Sequence, residues 1–259
     1  MRILPLSDLH LELTSAGWDL PDLPPFDVMV MAGDLIPDMT AGVEWLAERV
    51  GDSHAVFIAG NHEHYGCRNL DENVEYARAA AKGTRVHVLS DERVDLLGCT
   101  FIGSTLWTDF NLLGNQDAAM TVAGDYMSDY RQIVTEGRLL QPSDTLERHL
   151  ASRRFIADEA ASAKREGRKV VVTTHHGVHQ AAVRPGMRGK MISAAYSNAM
   201  DAFVSECGAD LWVYGHTHIS DDRMLGRTRV INNGKGYGPS KTRARHDNES
   251  FDPILIIEI

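Results

Sequence analysis

Five short segments carry the residue types that bind divalent cations and move protons. They are Asp8 with His10, Gly33-Asp34, Gly60-Asn61-His62-Glu63, His175-His176 and Gly215-His216-Thr217-His218. Together they supply carboxylates, an amide oxygen and imidazoles, the donor set of a site for two hard or borderline divalent metals. Each segment alone is weak. Asp-x-His is common at strand ends, Gly-Asp is usually a turn, and an Asn-His pair is usually an exposed loop. Five in series, each after an apolar run, are not accounted for in that way.

The chemistry within the segments differs. A carboxylate can use its two oxygens on two cations, so Asp34 suits a bridging ligand, and Gly33 permits the tight turn that brings it close. Asn61 offers a neutral oxygen, which leaves His62 beside it free to work as a catalytic group. His216 and His218 reach one crevice from a single loop kept compact by Gly215. His54, His87 and His149 fit no motif and read as ordinary surface or core histidines.

The elements that must position these groups alternate. Residues 2–6, 27–31, 54–58, 169–173 and 210–214 are apolar runs that read as strands. Between them, 39–50, 69–81, 142–165 and 193–207 carry helical spacing or strong helix formers. Further strands are expected at 93–97, 100–104, 228–232 and 254–259. The pattern predicts an α/β fold of two packed sheets with helices outside. Every motif falls at the carboxyl end of an expected strand, where open α/β sheets place their sites. No linker or internal repeat divides the 259 residues, so a single domain over 1–259 is expected. The stretch from Glu63 to His175 exceeds what one connection needs, which predicts a lid or cap segment within 105–150.

Composition excludes some classes. The net charge of −10 disfavours a general nucleic-acid binder, yet does not bar a small phosphorylated substrate once metal cations reverse the local potential. No apolar run approaches the roughly 20 residues of a membrane span, so no membrane partner is expected. Cys67, Cys99 and Cys207 are scattered and odd in number, which fits neither a disulfide framework nor a Cys-x-x-Cys site. With a start that runs straight into the first motif, a cytoplasmic location is expected.

The order and spelling of the five segments resemble the calcineurin-like metallophosphoesterases, the superfamily that also contains purple acid phosphatases and class III cyclic-nucleotide phosphodiesterases. The likeness is to its compact bacterial branch and runs from Asp8 to about Gly238. It implies a four-layer sandwich of two mixed β-sheets flanked by helices. It also assigns Asp8, His10, Asp34 and His218 to one ion, and Asp34, Asn61, His216 and one histidine of the 175–176 pair to the other. His175, first past its strand, is the expected ligand. Family members often follow this motif with Pro where this chain has Gly177-Val178, so His176 stands as the other candidate. Softer echoes are Leu106 to Asp109, Asp129 to Arg131, and Asn232 to Tyr237. Arg131 and His176 are the candidate substrate-binding residues, and Lys235 is a further candidate clamp.

The resemblance implies a phosphoesterase that depends on a dinuclear metal centre and uses a metal-activated hydroxide. His62 would protonate the leaving oxygen, with Glu63 or another carboxylate orienting it. Mn, Fe, Zn and Ni all accept such ligands. A phosphodiester of a small, nucleotide-like substrate is the expected target. The alternatives are a phosphomonoesterase or nuclease of the same superfamily, and a non-catalytic metal-binding scaffold. The acidic balance counts against a nuclease. Retention of every ligand and of His62 counts against a scaffold.

Overall fold

The computed structural model describes residues 1–15 and 17–259. Its strands are β1 (Arg2–Leu6), β2 (Val28–Ala32), β3 (His54–Ile58), β4 (Val86–Leu89), β5 (Glu92–Leu96) and β6 (Cys99–Ser104) in the first part of the chain. Then come β7 (Val134–Thr135), β8 (Arg138–Leu139), β9 (Lys169–Thr174), β10 (Leu211–Tyr214), β11 (Ser220–Leu225), β12 (Thr228–Asn233) and β13 (Ile257–Glu258). The α-helices are α1 (Met39–Val50), α2 (Leu70–Ala81), α3 (Gln116–Tyr126), α4 (Asp129–Gln132), α5 (Pro142–Arg165) and α6 (Asp201–Cys207).

One sheet runs β13-β1-β2-β3-β4, with β1 to β4 parallel and β13 antiparallel at the edge. The other runs β11-β12-β10-β9-β6-β5, parallel at its centre and antiparallel at both ends. The period-two alternation of strand side chains separates three cores. Ile3, Val28, Val30, Val56 and Ile58 of the first sheet meet Phe101, Val171, Leu211, Val213 and Ile231 of the second. Their sequence neighbours Leu4, Leu6, Met29, Met31 and Phe57 pack outward with Val43 and Leu46 of α1 and Val74 of α2. On the far side, Val170, Val172, Trp212 and Val230 pack with Ile156 and Ala160 of α5 and Val204 of α6. Each such fully buried aliphatic side chain contributes about 1.5–3 kcal/mol. The result is the expected four layers, helix, sheet, sheet, helix.

A fourth apolar cluster lies apart from the sheets. Trp107, Phe110, Ala123 of α3, Tyr130 of α4, Ile133 and Leu140 pack there with Val183 and Ala194. It joins residues 107–140 to the 183–195 stretch.

Three expectations differ from the structure. Residues 193–207 are not one helix: a 3-10 turn covers Met191–Ala195 and α6 begins only at Asp201. The intervening N–H groups of Asn198 and Met200 bond to the Gly177 and Val178 carbonyls instead of continuing a helix. The final strand pairs only at Ile257–Glu258, after Pro253 and a turn closed by Leu255 N–H on the Asp252 carbonyl. Helices α3 and α4 and strands β4, β7, β8 and β11 had no counterpart in the sequence reading. Among the described residues, no helix is long and apolar enough to cross a membrane.

Candidate functional site

The five motifs converge at the carboxyl ends of β1, β2, β3, β9 and β10, where the two sheets meet. The loops that carry them are unusual. Asp8, His10, Asp34, His216 and His218 all have positive φ, between 44° and 67°. Non-glycine residues rarely hold that conformation unless the surroundings over-determine it. Here they do. Asp8 N–H donates to the Gly33 carbonyl, His10 N–H to Asp34, Gly215 N–H to His175, and Gly236 N–H to Asp8. Glu63, fully buried, accepts from the backbone N–H groups of Asp34, Leu35 and Gly60. Its carboxylate therefore ties the second and third motifs together. Burial and the Asp34 charge push its pKa up to about 7. Gly60 is required because a Cβ there would overlap Asp34 Oδ1 and lie 2.7 Å from His175 Nε2.

Two donor clusters share Asp34. In the first, His10 Nε2 lies 3.0 Å from His218 Nε2 and 3.6 Å from Asp34 Oδ2, while His218 Nε2 lies 3.6 Å from Asp8 Oδ1. In the second, His175 Nε2 lies 3.1 Å from Asn61 Oδ1, 3.1 Å from His216 Nδ1 and 3.4 Å from Asp34 Oδ2. The outward nitrogens are anchored: His175 Nδ1 on the Ala32 carbonyl at 2.8 Å, His10 Nδ1 on Glu12 at 3.2 Å, His218 Nδ1 on Asp247 at 3.1 Å. Such anchoring turns the opposite nitrogen's lone pair inward and raises its donor strength.

This arrangement fits two cations. With Nδ1 of His175 donating to Ala32, its neutral Nε2 has a lone pair facing the oxygens of Asn61 and Asp34. Only positive charge holds such groups together. Burial opposes protonation of His175, yet the Asp34 charge beside it prevails and pushes its pKa up to about 10. A bound cation meets the same demand. The groups Asp8-His10-His218 and Asp34-His175-His216 each bring their donor atoms within 4.8 Å of one another.

His62 stands beside the first cluster with its ring centroid 4.4 Å from that of His10. Its backbone N–H donates to Asp34 Oδ1 at 2.9 Å, and its Nδ1 lies 3.1 Å from Glu12 Oε1. Burial opposes charge on this ring, but Asp34 and the Glu12 hydrogen bond outweigh it and raise its pKa to about 9. The carboxylate against His62 Nδ1 is Glu12, the other carboxylate that the sequence left open, while Glu63 is taken up by backbone N–H groups.

These residues open into a cleft of about 710 Å³. Glu12, Asp34, Asn61, His62, His216 and His218 form its floor; Tyr65, Tyr126, Met127, Val183, Met187, Tyr196 and Tyr237 form much of its wall. Part of that wall lies within the 105–150 segment, and part comes from 183–196, which the sequence reading did not include.

Three sequence candidates lie elsewhere. Arg131 is exposed, and its guanidinium donates to the Asp125 and Tyr126 carbonyls near the end of α3. Lys235 is buried against the Trp18 ring and donates to Thr14 and to the Gly236 and Gly238 carbonyls. His176 is buried between the rings of Trp107 and His216, with Nδ1 3.2 Å from the Thr105 carbonyl. None of the three is among the residues lining the cleft. His149 contacts the Leu106 carbonyl, and His54 faces His87 at 3.1 Å, all outside the cleft.

Sequence reasoning missed Glu12, Asp129, Arg184 and Asp247. Glu12 carried one usable signal, being two residues beyond His10. Asp129 falls in the softer echo at 129–131 without being tied to Asn61 there, and Arg184 and Asp247 follow no motif. Asp129 accepts from Asn61 Nδ2 at 2.9 Å, and Asp247 pairs with Arg184 as well as Arg243.

The calcineurin-like phosphoesterase family model matches residues 1–220, and the chain belongs to that family. It is a metal-dependent phosphoester hydrolase. The uncharacterized protein L509 of Acanthamoeba polyphaga mimivirus is 22% identical over 289 residues, spanning all of this chain and 97% of the relative. Among solved structures, phosphopantetheinyl hydrolase (PptH) from Mycobacterium tuberculosis is similar with a TM-score of 0.64 at 17% identity, covering 91% of this chain and 89% of the other. A putative 5′-nucleotidase from Staphylococcus aureus is similar with a TM-score of 0.50 at 13% identity, covering 90% and 48%. At these identities the shared property is the fold. Tyr237 and Asp247 lie beyond the family match.

Proposed function

We propose that the chain hydrolyses a phosphodiester of a small, nucleotide-like substrate, with Asp8, His10, Asp34 and His218 holding one ion and Asp34, Asn61, His175 and His216 the other. When bound, two such ions neutralise charge on the phosphate oxygens and lower the pKa of water. The rest of the work falls to the protein. His62, held by Glu12 at Nδ1, presents Nε2 to the leaving oxygen and delivers the proton. Asp34 serves both ions while its Oδ1 keeps the His62 backbone in place. The segment within 105–150 acts as a lid over the site.

The observation that carries the diester reading is the shortage of free cations in the cleft. Among the described residues lining it, Arg184 is the only Arg or Lys. That guanidinium already donates to the Thr217 carbonyl at 2.9 Å and pairs with Asp247 at 3.2 Å. A diester carries one negative charge and needs little beyond the ions, whereas a monoester dianion gains from added clamps. Four tyrosines in the wall, Tyr65, Tyr126, Tyr196 and Tyr237, suit a planar leaving group such as a nucleobase. The neighbour named as a phosphopantetheinyl hydrolase places a phosphopantetheinyl diester in the assay panel too.

Steady-state kinetics with matched mono- and diesters of one aryl alcohol test the reading. The expected result is a higher kcat/KM for the diester, unchanged by Arg131→Ala. A clear monoester advantage that falls in Arg131→Ala would make the protein a phosphatase with a basic lid.

A further inference from the structure

We propose that Asp129, buried behind the wall of the cleft, is a positioning residue that sets the amide of Asn61 for the second ion. The NH₂ of Asn61 is held on one side: Nδ2 donates toward the adjacent acceptors Asp129 Oδ1 and Tyr65 Oη, each at 2.9 Å. Tyr65 Oη in turn donates to the same Asp129 oxygen at 2.6 Å. An amide has two donors on one side and an acceptor on the other. Holding the NH₂ fixes the flip of the group and leaves its oxygen facing His175 Nε2. Were the amide to turn over, it would aim N–H groups at the cation, which repel it. A carboxylate behind the NH₂ also raises electron density on the amide oxygen, as a carboxylate behind a ligating histidine does.

Asp129 is placed for this task and little else. It is 2% exposed, and the side chains bonded to its carboxylate are Asn61 and Tyr65. It opens α4, whose next residue, Tyr130, packs in the apolar cluster and meets Thr145 of α5 through its hydroxyl at 3.1 Å. A rigid neighbour thus anchors the carboxylate. Asp129 lies far from Asn61 in the chain, so the segment that walls the cleft also completes the donor set beneath it.

The inference rests on the two-ion reading above. Equilibrium dialysis of the metal-free protein against Mn²⁺, with elemental analysis, separates the two. Wild type should take up two ions. Asp129→Ala should keep the first at wild-type affinity and bind the second about 10–100-fold more weakly. Asp129→Asn, which retains one acceptor oxygen for the Asn61 amide, should recover much of the loss. A general packing defect would instead weaken both ions or neither, and either result in Asp129→Ala overturns the proposal. If the alanine variant does not fold, Asp129→Leu, of similar size but with no acceptor for the Asn61 amide, carries the test, and unaltered second-ion affinity there overturns the proposal. Fewer than two ions on wild type would fail the two-ion reading itself, and the proposal with it.

Discussion

Glu12 Oε1 lies 3.1 Å from Nδ1 of His62, and the same oxygen lies 3.2 Å from Nδ1 of His10. One carboxylate, just past the first motif, therefore holds both an imidazole of the first donor cluster and the proposed proton donor. This shared contact couples the two roles and, against burial and after the Asp34 charge, helps raise the pKa of His62.

In the metal-free protein, Glu12→Gln should lower the His62 titration midpoint from about 9 toward its ordinary 6.5, as read by ring-proton NMR. Burial works in the same downward direction, and only Asp34 and its neighbours remain to resist it. The sign for stability follows. A histidine whose folded pKa is raised contributes stabilisation that is fully present below its unfolded value and is lost as pH rises through the folded value. The wild-type advantage in Tm should thus be largest below about 6.5 and disappear above about 9. An unmoved midpoint would show that Glu12 does not act on His62.

His62→Ala should leave ion content intact and reduce turnover by about 10²–10⁴-fold for substrates with basic leaving groups. Loss should be smaller for a nitrophenyl ester, whose anion departs without a proton. Equal losses across a leaving-group series, or depleted metal, would assign His62 a different role.

Gly60→Ala should fold but bind ions poorly. The added Cβ would overlap Asp34 Oδ1 and sit 2.7 Å from His175 Nε2, displacing the shared carboxylate from both clusters. Circular dichroism and ion uptake measured together give the check. Wild-type uptake would mean that the third loop shifts without disturbing the donors.

The layers of this fold were legible because strands β1, β2, β3, β9 and β10 are short apolar runs flanked by strong turn and ligand residues. Helix α3 was not, since its Gly124 and scattered Ala residues give a weak apolar stripe. Strand β11, Ser-Asp-Asp-Arg-Met-Leu, alternates half-buried and exposed residues with few apolar ones, so a charged edge strand read as a loop. The clustered donor residues were legible because donor chemistry restricts residue type at each motif. Asp129 and Asp247 were not, because any carboxylate that reaches the right nitrogen would serve and the approach is set by tertiary packing. Arg131, named from a softer family echo, donates to the Asp125 and Tyr126 carbonyls and does not line the cleft, a placement that tertiary packing sets and no motif signals.

The central claim is a two-cation centre joined by Asp34, whose Oδ2 lies 3.6 Å from His10 Nε2 and 3.4 Å from His175 Nε2. Stoichiometric titration of the metal-free protein with Mn²⁺, repeated on Asp34→Ala, tests it most directly. The account predicts two ions per wild-type chain and weakened binding of both in the variant. Saturation at a single tightly bound ion, left undisturbed by Asp34→Ala, would contradict it.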